Sequence, residues 1–501
     1  MRNYTSDTGA VVNQDIAVTG NDAPKQYKLS AFILVIAIAF LAIGEVLAGT
    51  SLYFVAMMAG TMLCIGTTYN ILGGLGTIGG IAFSVFALLT FVISQFAKVI
   101  LFESAIQNLE APQLTITVYL LFYFSVMVGS FVFGRIRLPL PKALEPSTDK
   151  QMNLMYIISL VVGTLATFIL FGGEVLTGGG DEGSSHSFAV GFQGLLLFSV
   201  VLAVQSRIQK TNGQHSVGIK VLISWFVIML FGFLDTQRTS FVTPVFSYAV
   251  ACHLNRFEFR RKHFIAAVTG IVAFFTIISP YLMYMRPLGR GGEPFWEKSK
   301  EMFHLATTPT DWSTIAAATT GAEQGGGGRT NYYSRPGTFV LSRLSSIRGD
   351  SVMISTCSGG YHYGFQAVKI DVLIMIPHFL YKDKPTSNSG GIIGHVTGLT
   401  SDEMENTSMG VTAIADSYGG FGLLGVALVG LFLFPALFIV FESIFDIRQP
   451  WGIVALGILC SRIAGPVGAM ITLAIREPID LLFVSYLIGI LVKVIPTRGS
   501  R

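Results

Sequence analysis

Charge is scarce in this chain. Asp, Glu, Lys and Arg make up 12% of its 501 residues, about half the share in soluble domains. That shortage excludes an ordinary water-soluble globule. With 51% hydrophobic residues and a mean hydropathy of +0.62, and with many apolar runs of spanning length, the chain reads as a polytopic membrane protein. A net charge of +4 then gives no reason to expect nucleic acid. What matters is where the basic residues fall relative to the apolar runs.

Cysteine is also scarce. Cys64, Cys252 and Cys460 lie in or beside apolar runs, and only Cys357 falls in a polar connection, so no disulfide framework is expected. There is no C-x-x-C, no H-E-x-x-H and no Gly-rich nucleotide motif. No metal and no cofactor are expected. The polar first residues lack the basic-then-apolar pattern of a signal peptide and read as a loose tail, 1–29. No solenoid or inverted repeat is evident. The 55 glycines suit closely packed membrane helices.

Apolar runs lie near 30–49, 51–70, 79–101, 114–134, 152–172, 188–205, 217–234, 240–253, 264–284, 411–441, 450–474 and 478–496. The expected fold is an all-α integral membrane protein with about twelve transmembrane helices and one large external loop late in the chain. Its parts would be a bundle over 30–284, an external loop over 285–410, C-terminal helices over 411–496 and a short tail, 497–501.

Sidedness follows from Lys and Arg. Arg135, Arg137, Lys142 and Lys150, then Arg207 and Lys210, then Arg256, Arg260, Arg261 and Lys262 all fall on the side of the N-terminus, while alternate connections such as FESAIQNLEAPQ are acidic. Both termini are therefore expected in the cytoplasm of a bacterial inner membrane. The external loop contains the flexible TTGAEQGGGGRTNYY. It also holds Trp296, Trp312, Tyr332, Tyr333, Tyr361, Tyr363 and an apolar run, 368–380, too short to span. That run, read as an interfacial or re-entrant segment, leads into IPHFLYKDKPTSNSG.

Several residues could do chemistry at the outer face. Arg238, in LDTQRTSF, runs against the positive-inside pattern, so orientation alone does not explain it; an anion site would. Arg343 and Arg348 sit in FVLSRLSSIRGDS, beside Arg329 and Arg335. They are either solvated loop charges or a phosphate clamp, which the planar guanidinium suits. Both would reach one ligand only if a helix broke after Ile347. His378 and His395 are candidate external general bases. Lys382 and Lys384 either close a helix end or face lipid headgroups and a lipid-linked phosphate. Asp416 lies about a turn inside the apolar run GVTAIADSYGGFGLLGVALVG, with Arg238 or Arg343 as its expected partner. Gly419, Gly420 and Gly422 would let a helix or ligand approach closely.

Three pieces carry a resemblance. IPHFLYKDKP, ADSYGGFGLLG and LDTQRTSF, within roughly 235–425, resemble elements of the Wzy-type polymerases of O-antigen and capsule repeat units. The acid of the second element is often Glu in that family and is Asp416 here. The resemblance implies a metal-independent membrane glycosyltransferase of surface or exopolysaccharide biosynthesis. Its substrate would be an undecaprenyl-pyrophosphate-linked oligosaccharide, in contact with membrane lipid, and a chain-length regulator and a flippase would be its protein partners. Arg238, Arg343, Asp416, His378 and His395 would be catalytic. Arg348, Lys382, Lys384 and Tyr418 would bind substrate. Two other classes remain open: an O-antigen-type ligase, and a transporter or flippase, which should show mid-membrane charges and broken helices.

Overall fold

The structure is a computed structural model that describes residues 29–146, 148–176, 183–235, 239–274, 346–376 and 410–494, with isolated positions between them. Among the described residues the chain is all-helical, with no strand.

Among the described residues a helix lies in each of the twelve apolar runs, the run 264–284 carrying one to Ala273. The helices are α1 (Ala31–Leu47), α2 (Leu52–Ile71), α3 (Ile78–Ile100), α4 (Pro112–Phe133), α5 (Asp149–Leu176), α6 (Gly183–Lys210), α7 (Ile219–Asp235), α8 (Thr239–Leu254) and α9 (Arg261–Ala273). Two short helices follow, α10 (Ile347–Cys357) and α11 (Gln366–Met375), and then α12 (Ala413–Ile444), α13 (Pro450–Arg462) and α14 (Val467–Val494). Among the described residues five segments are long and apolar enough to cross a membrane: α2, α3, α4, Asp149–Ile169 of α5, and α12. Bulky apolar side chains such as Phe32, Leu47, Phe131, Phe226 and Phe264 project outward, exposed. A water-facing surface would not tolerate so many, whereas hydrocarbon would.

The core is aromatic. Phe86 of α3 and Phe122 of α4 lie 4.7 and 5.1 Å, ring centre to ring centre, from Phe434 of α12. Gly430 lets α12 cross α4 closely: a Cβ there would sit 2.8 Å from the Phe122 carbonyl. Each of α3 and α12 contains one π-helical turn, at Leu88–Val92 and Val429–Leu433. Phe198 of α6 stacks on Trp451 of α13 at 3.8 Å.

Two boundaries differ from the sequence expectation. The last turn was expected at 475–477. It lies instead at 463–466, so α13 has 13 residues and α14 has 28. The sequence reads ambiguously here, because the charges of IREPID suggest a loop while Gly465 and Pro466 are the actual helix breakers. The second difference is in α12, which is not one regular helix. Phe421 and Gly422 are non-helical inside it, with Gly422 at φ +62°, ψ −148°. The interruption leaves an outer half-helix, 413–420, and a longer inner portion.

One end of the bundle gathers the starts of α4, α12 and α14 and the ends of α1 and α3. There α10 packs on α4 and α12, and α11 packs on α14. Within the 368–380 run, α11 ends at Met375; residues 377–380 lie outside the described residues. Ile376 takes an extended conformation, φ −65° and ψ 130°, as a residue before proline should.

Candidate functional site

The half-helix of α12 is the centre of this end. Thr412 caps it by accepting from the Ile414 N–H at 3.2 Å. Asp416 falls in its first turn, buried. One carboxylate oxygen accepts a very short hydrogen bond from the Tyr363 hydroxyl, which also donates to the Asp416 carbonyl at 2.8 Å. The other oxygen accepts the Val467 N–H at 2.7 Å, an otherwise unpaired donor at the start of α14. Asp416 therefore ties α12 to α14 and to the segment after α10. Asp371 of α11 lies against the same turn, where only a residue without Cβ fits at Gly468.

The break at Phe421–Gly422 has a local consequence. A helical carbonyl expects a donor four residues on, so an interruption strands carbonyls of the preceding turn. The loop 358–365 supplies the donors: Tyr363 N–H reaches the Gly419 carbonyl and Gly364 N–H the Gly420 carbonyl, each at 3.2 Å. Gly419 is required by proximity, since a Cβ would lie 2.8 Å from the Tyr363 hydroxyl. Burial and the neighbouring Asp416 carboxylate push the Tyr363 phenol well above its usual range. Next to this loop, His362 meets Tyr418 edge to face at 6.0 Å, and Phe365 meets Phe421 at 4.5 Å.

A second acid, Asp350 of α10, is fully buried. It accepts from the Tyr119 hydroxyl at 2.6 Å, the Thr412 hydroxyl at 2.5 Å and the Thr412 N–H at 3.0 Å. Burial pushes its carboxyl up to about 6, against the pull of those hydrogen bonds. Its neighbour Ser351 accepts from the N–H groups of Glu110 and Ala111 at 3.0 and 3.3 Å. Together these bonds fasten α10 to α4 and to the cap of α12.

Of the expected site residues, Asp416, Tyr418 and Arg348 are described, and all three lie at this end. Tyr418 is buried and Arg348 half-buried. Helix α10 runs without interruption from Ile347 through Arg348 and Gly349, so there is no break after Ile347, and Arg343 lies outside the described residues. Arg238, Arg343, His378, His395, Lys382 and Lys384 lie outside the described residues. The partners that Asp416 makes are Tyr363 and the Val467 amide.

Several residues escaped the sequence reading. Glu45 and Lys98 sit in apolar runs, a signal that was there to use. Glu45 accepts from Thr50 Oγ1 and the Ala105 N–H, both at 2.6 Å. Lys98 Nζ donates to the Ala105 carbonyl at 2.5 Å and the Gln107 carbonyl at 2.9 Å. Once α14 runs unbroken, Arg476, Glu477 and Asp480 stand inside it. Arg462 pairs with Glu477 across the α13–α14 turn, and Arg476 pairs with Asp480 at 3.2 Å. At the opposite end, Arg137, Lys142, Glu145, Glu442 and Asp446 line a cavity of about 410 Å³. Burial there pushes Glu145 up to about 8. Among the described residues no cluster of three His, Cys, Asp or Glu could hold a metal ion.

The chain matches no protein-family model, no curated protein and no solved structure.

Proposed function

We propose that the protein polymerises lipid-linked oligosaccharide repeat units at the outer face of a bacterial cytoplasmic membrane. The observation that carries this is a convergence. The element ADSYGGFGLLG, interrupted at Gly422, shares a packed cluster with α11, the helix leading into IPHFLYKDKP; Tyr363, Asp416 and Val467 hold that cluster together. One of the three stretches resembling a Wzy-type polymerase, and the helix that leads into a second, thus belong to one end of one bundle.

In this reading about twelve helices cross the membrane, both termini are cytoplasmic, and residues 285–410 form an external cap. The donor is a glycan on undecaprenyl pyrophosphate and the acceptor is the free end of another lipid-linked unit. The pyrophosphate already carries two negative charges and gains a third as the anomeric C–O bond breaks; arginines in a partly dehydrated site stabilise that charge well. Arg238 and Arg343, with Arg348, would hold it. Lys382, Lys384 and Tyr418 would line the substrate path. Asp416 has both oxygens engaged by the protein, which suits a positioning role. No metal is needed for this chemistry.

One observation favours a second class, a transporter or flippase: the ion pairs Arg462–Glu477 and Arg476–Asp480 stand within α13 and α14, and α12 is discontinuous. A reconstitution separates the two. Purified protein in lipid, given an undecaprenyl-pyrophosphate-linked repeat unit and EDTA, should produce a glycan ladder, and Arg238→Ala or Arg343→Ala should abolish it. Protected movement of the substrate between leaflets with no ladder would establish the flippase. Transfer only to an added lipid A-type acceptor would establish the ligase.

A further inference from the structure

Glycosyl transfer to a sugar hydroxyl needs a group to receive the hydroxyl proton. Asp416 is poorly placed for it, being buried and hydrogen-bonded through both oxygens. Asp350 is fully buried and accepts three bonds. A different group at the same end meets the requirements.

His362 lies in the loop between α10 and α11 and is exposed. Its ring touches Tyr418 edge to face at 6.0 Å. Neither ring nitrogen has a hydrogen-bond partner among the described residues, unlike the carboxylates around it. Most exposed histidines are merely solvated, but three features set this one apart. Its backbone is fixed, because the next two residues donate to the Gly419 and Gly420 carbonyls at 3.2 Å. Its imidazole edge faces the break in α12: a Cβ on Gly422 would lie 3.5 Å from both Cε1 and Nε2. Gly422 itself holds a conformation essentially restricted to glycine, and such strained positions concentrate at functional sites. The surroundings also suit a sugar. Tyr361, Phe365 and Phe421 are exposed aromatic faces beside it, and Gly359, Gly360 and Gly364 border open space.

We propose that His362 is the proton acceptor for the incoming sugar hydroxyl, in a carbohydrate subsite framed by Tyr361, Phe365 and Phe421; this rests on the polymerase reading above. In the step, the acceptor O–H proton passes to an imidazole nitrogen. The hydroxyl oxygen bonds to the anomeric carbon of the donor glycan. The anomeric C–O bond breaks, and undecaprenyl pyrophosphate departs with the electron pair. The imidazolium, open to water, then returns its proton to bulk. The ionisable side chain in contact with His362 is Tyr418 of α12; Tyr361 and Tyr363 flank it in sequence.

The test uses the full-length protein in lipid with lipid-linked repeat unit extracted from producing cells. His362→Ala should slow ladder extension by about 10²–10⁴-fold while leaving the melting temperature unchanged, since the side chain is exposed. Free imidazole should restore a measurable part of that loss in proportion to its concentration, by supplying the missing base, and His362→Gln should be equally slow. Full activity of His362→Ala, with an active wild type, would overturn the proton-acceptor role and leave the polymerase standing. A slow, normally folded variant that imidazole does not rescue would also overturn it, making His362 a sugar-binding group only. No ladder from the wild type would remove the polymerase reading and this inference together.

Discussion

The Tyr363 hydroxyl is bonded twice to Asp416, once to its carboxylate and once, at 2.8 Å, to its backbone carbonyl. The carboxylate passes the connection on to the Val467 N–H at 2.7 Å. One phenol thereby joins the loop before α11 to the starts of α12 and α14.

Tyr363→Phe should leave a buried carboxylate oxygen short of a donor. The expected cost is about 1–3 kcal/mol, read as a lower melting temperature and faster proteolytic nicking within 358–365.

Asp416→Asn should behave differently from Asp416→Leu. An asparagine can turn its oxygen to the Val467 N–H and its amide to the Tyr363 hydroxyl, so the brace survives. Gel analysis should show a ladder with Asp416→Asn and none with Asp416→Leu. Loss of the ladder in a normally folded Asn variant would assign the proton-accepting role to Asp416 itself.

Gly422→Ala should cost about 1–3 kcal/mol through backbone strain alone, because the added methyl meets His362 only at ordinary contact distance, 3.5 Å. Gly419→Ala should fail for the other reason, collision with Met353 and Tyr363. Gly270→Ala meets open space and should be silent. Thermal melts of the three variants check this order.

Asp350 makes a prediction about pH. Its carboxyl is raised from 3.8 to about 6, so the native state keeps a proton that the unfolded chain has lost. Its contribution to stability is therefore full below pH about 4 and falls as pH rises to about 6. Asp350→Asn preserves all three hydrogen bonds, with its amide donating to the two hydroxyls, and removes the titration. The wild-type melting temperature minus that of the variant should be larger at pH 4 than at pH 7.

Arg462 and Glu477 should show pair dependence. Arg462 is 46% exposed but Glu477 only 13%, so Arg462→Ala leaves a mostly enclosed carboxylate without its counter-ion and should lower the amount of inserted protein. The exchange Arg462→Glu with Glu477→Arg should restore it. Arg137→Ala, at the opposite end, likewise removes the counter-ion of a carboxylate that is only 13% exposed, but the Gly79 N–H still donates to Glu442 at 3.0 Å. Its effect should be smaller than that of Arg462→Ala and should leave any ladder intact.

The apolar runs were legible because a bilayer-length hydrophobic stretch has few alternatives to a helix, and among the described residues each of the twelve carries one. Asp416 was legible for a similar reason, since an acid in such a run needs an explanation. Its partner was not. An arginine was expected from charge pairing, yet the carboxylate is held by a phenol 53 residues away in sequence and by a helix-terminal amide. Nothing local in YHYG marks Tyr363 or His362. Their placement depends on the carbonyls stranded by Gly422, a backbone event that composition does not display. The α13–α14 turn was misplaced because charge was weighed above Gly465 and Pro466, so the ion pairs of α14 were hidden in a supposed loop.

Helix α13 rises only about 20 Å over its 13 residues, against a hydrocarbon layer of about 30 Å. It ends at the half-exposed Arg462. In a bilayer the aqueous boundary would have to dip toward that arginine, so the insulating layer between the two compartments would be thinnest beside α13 and α14. A charged group would meet its lowest electrostatic barrier to entering the layer there, so this flank is where the bilayer around the protein should be most deformed.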